Sequence, residues 1–235
     1  MDIDKKTNRT RFRNLILGMV SMLFFMAGDY LLDAAGAGDY EIGIAVHSNW
    51  DKMATWRFVA SATIAAFAIL LTYLGSQEAI AISKSVRTQT KTSRFMDFLF
   101  RMCHVILITY GAGFHIFLCA LPIAYKEFLL FGGAKDVAIA GVNQTGLLVI
   151  IPLMILYLVC DIGVSVAWFY MVLSKKLKLP WFAVLCCPLS SIVIDFILKA
   201  IPLQFFKDFT VAFESLGWVL MFIALAVHVR KTEKV

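Results

Sequence analysis

Charged residues are scarce in this chain. Only 16% of its 235 residues are Asp, Glu, Lys or Arg, whereas 60% are hydrophobic, including 20 phenylalanines. A soluble domain of this length needs more polar surface than such a composition supplies. The composition therefore excludes an ordinary soluble globular protein and predicts an all-α, polytopic membrane protein.

Motifs for metal, nucleotide or nucleophile chemistry are also missing. The five cysteines fall in apolar segments without a C-x-x-C spacing, which argues against a disulfide framework and a structural zinc site. No G-x-S-x-G motif and no nucleotide fingerprint is present. His104 and His115 lie eleven residues apart, about 16 Å along a helix, which is too far to share one ion. We expect no cofactor and no metal, and no residue is assigned a catalytic role.

Six apolar runs divide the chain into spans and connectors. The predicted membrane-spanning segments are 14–33, 54–75, 98–121, 144–173, 181–199 and 210–229. They form one predicted helical domain, 14–229, between polar tails at 1–13 and 230–235. The start also resembles a signal peptide with a possible cleavage site at Ala35-Gly36-Ala37. Because five further spans follow a first run of spanning length, we favour a first transmembrane helix.

The basic residues are distributed unequally between the two sides of these spans. Fifteen Lys and Arg residues fall in the two tails and in the connectors 76–97 and 174–180, against six on the opposite side. The positive-inside rule therefore predicts six spans with both termini in the cytoplasm, in a bacterial cytoplasmic membrane. Short basic clusters between apolar runs indicate contact with anionic membrane lipids, so nucleic acid is not an expected partner.

Ionisable residues inside the predicted spans mark the candidate site. The stretch Gly28 to Asp33 ends the first span and places Asp29 and Asp33 on one helical face. A carboxylate at membrane depth costs several kcal/mol unless it meets a partner, water or a proton, so it normally faces a bundle interior. The candidate ligand or polar-cluster residues are Asp29, Asp33, Arg57, His115, Asp161, Asp195 and Glu214. Most of them fall in the predicted outer half of the bundle.

Three interpretations of this cluster are open. In the first, the protein has a structural or sensory role, Asp29 or Glu214 pairs with Arg57, and His115 hydrogen-bonds to a carboxylate, so that the cluster holds helices together. In a second, the cluster lines a cavity that binds or translocates a small or amphiphilic ligand, with Arg57 meeting an anionic group and the carboxylates a cation or proton. In a third, His115 with Asp29 and Glu214 binds a metal or serves as general acid and base in lipid hydrolysis. The second is our leading hypothesis, with membrane lipids and a small-molecule or lipid ligand as partners.

Gly111-Ala112-Gly113 lies inside the third apolar run. Small residues at this spacing are typical of close helix packing, and we predict that role for them rather than phosphate binding.

Several of these residues also carry a family resemblance. The stretches that carry it are Gly28 to Leu32 at the end of span one, Arg57 at the start of span two, Phe114-His115 in span three and Lys176 to Trp181 before span five. Together they resemble an uncharacterised bacterial family of six-span membrane proteins, a domain of unknown function. The resemblance implies an integral membrane protein and groups Asp29, Arg57 and His115 as one set. It brings no activity with it. Ile116 stands where such sequences often have a second polar residue, which weakens a catalytic interpretation.

Overall fold

The computed structural model describes residues 2–233, and side chains over residues 9–232. The helices are α1 (Asp2–Asp33), α2 (Thr55–Val86), α3 (Lys91–Ile106), α4 (Ala112–Leu130), α5 (Lys135–Thr145), α6 (Ile151–Leu173), α7 (Pro188–Lys199), α8 (Gln204–Thr210) and α9 (Phe213–Glu233). A small antiparallel hairpin, β1 (Glu41–Ile42) and β2 (Val46–His47), lies in the α1–α2 loop. The fold is therefore helical, as predicted. Met1, Lys234 and Val235, which belong to the predicted tails, lie outside the described residues.

Two π-helical turns join neighbouring helices into longer ones. Leu107–Gly111 connects α3 to α4, and Gly146–Ile150 connects α5 to α6. Pro152, near the start of α6, lacks an N–H and its ring crowds the carbonyl four residues earlier, and the wider π turn accommodates both effects. The predicted connector 122–143 is consequently mostly helical, and the fourth long helix begins at Lys135 rather than at 144.

Five of the described helical segments are long and apolar enough to cross a membrane. They are Arg9–Asp33, Thr55–Val86, Lys91–Leu130, Lys135–Leu173 and Phe213–Thr232. Helix α1 begins at Asp2, so most of the predicted 1–13 tail is helical. Helix α2 runs to Val86, well beyond the predicted end of span two at 75.

The predicted span 181–199 is a broken element. It consists of a 3-10 helix, Trp181–Leu185, and the 12-residue helix α7, separated by Cys186 and Cys187. Ser165 Oγ accepts a hydrogen bond from the Leu189 backbone N–H at 3.1 Å, and Trp168 Nε1 donates to the Ala183 carbonyl at 2.8 Å. Side chains of α6 thus satisfy backbone groups that the break releases.

The two ends of the bundle are marked by contacts between distant segments. Arg230 lies over the Phe12 ring at 4.5 Å, which defines the end that we call the terminal end. Ser215 Oγ donates to Asp29 at 2.8 Å near the other end, which we call the loop end because the 34–54 loop lies there. Helices α1 and α9 therefore run antiparallel.

Helices α1 and α2 approach each other closely at a pair of glycines. A Cβ on Gly18 would lie 2.9 Å from the Gly75 Cα, so only glycine fits at this crossing. By contrast, a Cβ on Gly113 would meet nothing within 4 Å. Our assignment of a close helix contact to Gly111-Ala112-Gly113 is therefore wrong at Gly113, because this side of the helix faces open space.

The loop between α1 and α2 is held by α4 and α5. Asn143 of α5 accepts from the Ile44 N–H at 2.8 Å and donates to the Ile42 carbonyl at 2.9 Å. Lys135 pairs with Asp51. Partial burial acts to raise the pKa of the Asp51 carboxyl, but hydrogen bonds from Lys135 and Tyr125 outweigh it and hold that pKa below its ordinary value. Side-chain contacts with α4 and α5 thus hold the loop in place at the loop end of the bundle.

Candidate functional site

A cavity of about 650 Å³ lies in the loop-end half of the bundle. Helices α1, α6, α7 and α9 and the α3–α4 helix surround it. The lining includes six of the seven predicted site residues: Asp29, Asp33, His115, Asp161, Asp195 and Glu214. The remaining lining is mostly apolar and includes Phe25, Phe114, Met154 and Phe196. Volumes of this size are typical of small-molecule sites.

Asp29 and His115 form the central pair of the site. The Nδ1 atom of His115 lies 3.3 Å from Asp29 Oδ1, and Nε2 lies 2.7 Å from Ser61 Oγ. Ser61 also donates to the Gly28 carbonyl at 2.8 Å. Because the hydroxyl has one proton, donation to Gly28 makes Nε2 the donor to Ser61. A proton shared by Nδ1 and the Asp29 carboxyl then completes the network.

Gly28 makes this arrangement sterically possible. A Cβ at residue 28 would lie 3.0 Å from His115 Nε2 and 3.3 Å from Ser61 Oγ. The absence of a side chain lets α1 approach the His115 ring closely. The Gly28-Asp29 dipeptide therefore supplies both the space and the carboxylate for the pair.

A second polar group lies deeper, where α6 meets α9. Trp218 Nε1 donates to Asp161 Oδ1 at 3.1 Å, and the Asp161 residue is only 1% exposed. Glu214 interacts with both Asp161 and the Tyr157 hydroxyl. The other carboxylate oxygen of Asp161, Oδ2, is buried without a hydrogen-bond partner. A buried, unpartnered oxygen beside a second carboxyl group is a place for a cation or a proton.

Asp33, Asp195 and Lys199 lie at the loop-end mouth of the cavity. Lys199 Nζ lies 2.9 Å from Asp195 Oδ2, one helical turn away on α7, and its side chain is 43% exposed. Asp33 ends α1 on the facing side. The mouth is therefore polar and accessible.

Arg57 lies apart from this set. Its Nη2 donates to the carbonyls of Tyr30 at 3.0 Å and Ala34 at 2.8 Å, and Arg57 does not line the cavity. Among the described residues it forms no salt bridge to Asp29 or Glu214, so the predicted pairing is wrong. The C-terminal carbonyls of a helix lack intrahelical partners and carry a partial negative charge, which explains why the guanidinium binds there.

Several residues that build the site are not among the residues predicted from the sequence, namely Ser61, Lys199 and Tyr157. The serine partner of His115 depends on how α2 packs against α4, which the sequence does not show. A π-helical turn lies between His104 and His115. His104 packs against Trp218 of α9, whereas His115 meets α1 and α2.

Ser61, His115 and Asp29 form a serine–histidine–aspartate chain, which bears on the enzyme hypothesis. Ser61 is fully buried and does not line the cavity, so its hydroxyl is not placed to attack a bound ester. Within residues 2–233, no group of three His, Cys, Asp or Glu side chains is arranged to hold a metal ion. The proposed ligand set of His115, Asp29 and Glu214 is therefore not assembled.

Helices of spanning length around an internal acidic cavity define the chain as a helical integral membrane protein. The chain belongs to the DUF6796 family, a family of unknown function, whose model matches residues 3–232. The comparison with curated proteins returned no match, and neither did the comparison with solved structures.

Proposed function

We propose that this protein binds or translocates a small or amphiphilic ligand in its loop-end cavity. The single observation that carries the proposal is the meeting of six ionisable candidates, from five helices, at one cavity of about 650 Å³. A purely structural cluster would be closed and mutually paired. Here Asp161 Oδ2 has no hydrogen-bond partner among the described residues, and the mouth at Lys199 is exposed.

The proposed orientation has six crossings, with both termini in the cytoplasm of a bacterial cell and the cavity opening outward. Lys178 N–H donates to His228 Nδ1 at 2.9 Å, near the terminal end of α9. The Tyr30 hydroxyl donates to the Phe209 carbonyl at 2.6 Å, at the loop end. These contacts support a chain that crosses between residues 178 and 209, with the broken segment Trp181–Lys199 as the sixth, discontinuous crossing. The excess of basic residues at the terminal end supports its cytoplasmic placement.

Ligand binding is favoured over lipid hydrolysis on geometric grounds. Asp29 and His115 reach the cavity, but the only serine hydrogen-bonded to His115 within the described residues is the buried Ser61. Each ring nitrogen of His115 therefore has a polar partner, Asp29 at Nδ1 and Ser61 at Nε2. Among the described residues, no serine beside His115 is positioned to attack a ligand in the cavity. Such a pair is suited to holding charge and protons beside a ligand.

A cavity-filling pair of variants tests the proposal. Leu158 lines the cavity and is 47% exposed, so a tryptophan there adds volume without overpacking the core. The neighbouring Val159 is 59% exposed and does not line the cavity. We expect native mass spectrometry from nanodiscs to find a bound small molecule or lipid in wild type and in Val159→Trp, and at least tenfold less in Leu158→Trp. Equal retention in all three proteins, or no retained molecule in wild type, would contradict the proposal.

A further inference from the structure

The charges that line the cavity do not balance. Two of its carboxyl groups have basic partners, since Asp29 lies by His115 and Asp195 by Lys199. The other three, Asp33, Asp161 and Glu214, have no Lys, Arg or His within salt-bridge distance among the described residues. Arg57 lies outside the cavity, so among the described residues only His115 and Lys199 line it as basic groups for an anionic head group. The three carboxyl groups without basic partners remain available to a positively charged head group.

One of these three carboxyl groups is almost completely buried and lines the cavity. Asp161 is 1% exposed, Trp218 donates to its Oδ1, and its buried Oδ2 has no hydrogen-bond partner among the described residues. Glu214 lies beside it. Leaving a buried charged oxygen unpaired is costly, and a cation between two carboxylates removes that cost.

The wall on the α6–α7 side determines what kind of cation fits. Met154, Ile155, Leu158 and Phe196 line the cavity and are 47–69% exposed. In a membrane, apolar side chains with this exposure on α6 and α7 would contact hydrocarbon. This wall would then give a hydrocarbon chain a path from the lipid to the carboxyl groups. Tyr157 and Phe25 supply aromatic faces of the kind that bind ammonium groups.

We propose that the ligand is a cationic amphiphile, a long-chain amine or quaternary ammonium compound. Its head group lies between Asp161 and Glu214, and its chain lies along the α6–α7 wall. This inference rests on the proposed ligand-binding function and adds the charge of the ligand and its lateral route. A bare inorganic cation would leave the apolar wall without a role, and an anionic lipid would meet three unpaired carboxyl groups.

Binding of tritiated dodecyltrimethylammonium to the full chain in phosphatidylcholine nanodiscs tests the proposal, with empty nanodiscs subtracted. We expect saturable binding that dodecylamine displaces, with dodecanol and laurate at least tenfold weaker as competitors. Asp161→Asn keeps the side-chain shape and removes the charge, so it should weaken binding of the probe at least tenfold. Asp136→Asn makes the same change at an exposed position outside the cavity and should leave binding unchanged.

The outcomes separate this inference from the function it rests on. If dodecanol or laurate competes as well as dodecylamine, or if Asp161→Asn binds the probe normally, the cationic class is overturned while an amphiphile site stands. Displacement by equimolar KCl would overturn the amphiphile in favour of an inorganic cation. If no amphiphile binds saturably to wild type, both proposals fail. Should Asp161→Asn not purify as a folded protein, Glu214→Gln supplies the same comparison.

Discussion

Gly28 is the residue on which the geometry of the Asp29–His115 pair depends. The sequence predicts that Asp29 and His115 belong together, and the structure places their atoms 3.3 Å apart. Ser61 cannot be predicted from the sequence as the second partner of His115, because that contact depends on the rotation of α2 against α4. Arg57 shows the same limit, since a lone arginine at a helix start can pair with a carboxylate or with the carbonyls of a neighbouring helix.

A substitution at Gly28 should disturb this network directly. In Gly28→Ala the new Cβ would press on His115 Nε2 at 3.0 Å, and overpacking of this kind costs about 1–3 kcal/mol. We expect a lower thermal unfolding temperature in detergent, measured by intrinsic fluorescence. Gly113→Ala is the matched control, because its Cβ would meet nothing within 4 Å. Equal stability of the two variants would argue against a close contact at Gly28.

At the scale of elements, the prediction and the structure differ at the break formed by Cys186 and Cys187. Hydropathy alone predicts one helix over 181–199, because most residues of this segment are apolar. Pro188 fixes the start of α7, and α9 passes so closely that a Cβ on Gly217 would lie 2.6 Å from the Pro188 Cα. Hydropathy cannot predict a tertiary contact of that kind. The two π-helical turns were missed for the same reason.

Ser165 should be essential for holding the break. Ser165→Ala leaves the part-buried Leu189 N–H without its acceptor, and a loss of this kind costs at most about 1–3 kcal/mol. We expect faster hydrogen exchange across 186–192 and a lower unfolding temperature. Ser174→Ala, which loses only an exposed hydrogen bond to the Tyr170 carbonyl of its own helix, serves as control. Unchanged exchange at 186–192 in Ser165→Ala would refute the role of this serine.

At the scale of the whole molecule, the side of the membrane on which the terminal end lies decides which side the cavity faces. The apolar runs of the sequence predict six spans, and the antiparallel arrangement of α1 and α9 supports an even number, with the broken segment as the crossing that the five continuous apolar helices of the described residues leave out. With six crossings, reporter fusions at the two termini lie on the same side. We expect a fluorescent protein at the C-terminus to mature in the cytoplasm and an alkaline phosphatase inserted after Gly132 to be active outside. An active phosphatase fused at the C-terminus would contradict the proposed orientation.

Access to the cavity from the outer side is the central claim of this account, and cysteine labelling tests it most directly. In a background without the five native cysteines, Ser215→Cys places a thiol on the cavity lining beside Asp29, whereas Ser76→Cys places one in the fully buried interior. A membrane-impermeant trimethylammonium methanethiosulfonate reagent is added to intact cells, with Gly38→Cys in the exposed loop as the positive control. We predict modification of Ser215→Cys but not of Ser76→Cys. An unreactive Ser215→Cys, with Gly38→Cys fully labelled, would contradict an outward-open cavity.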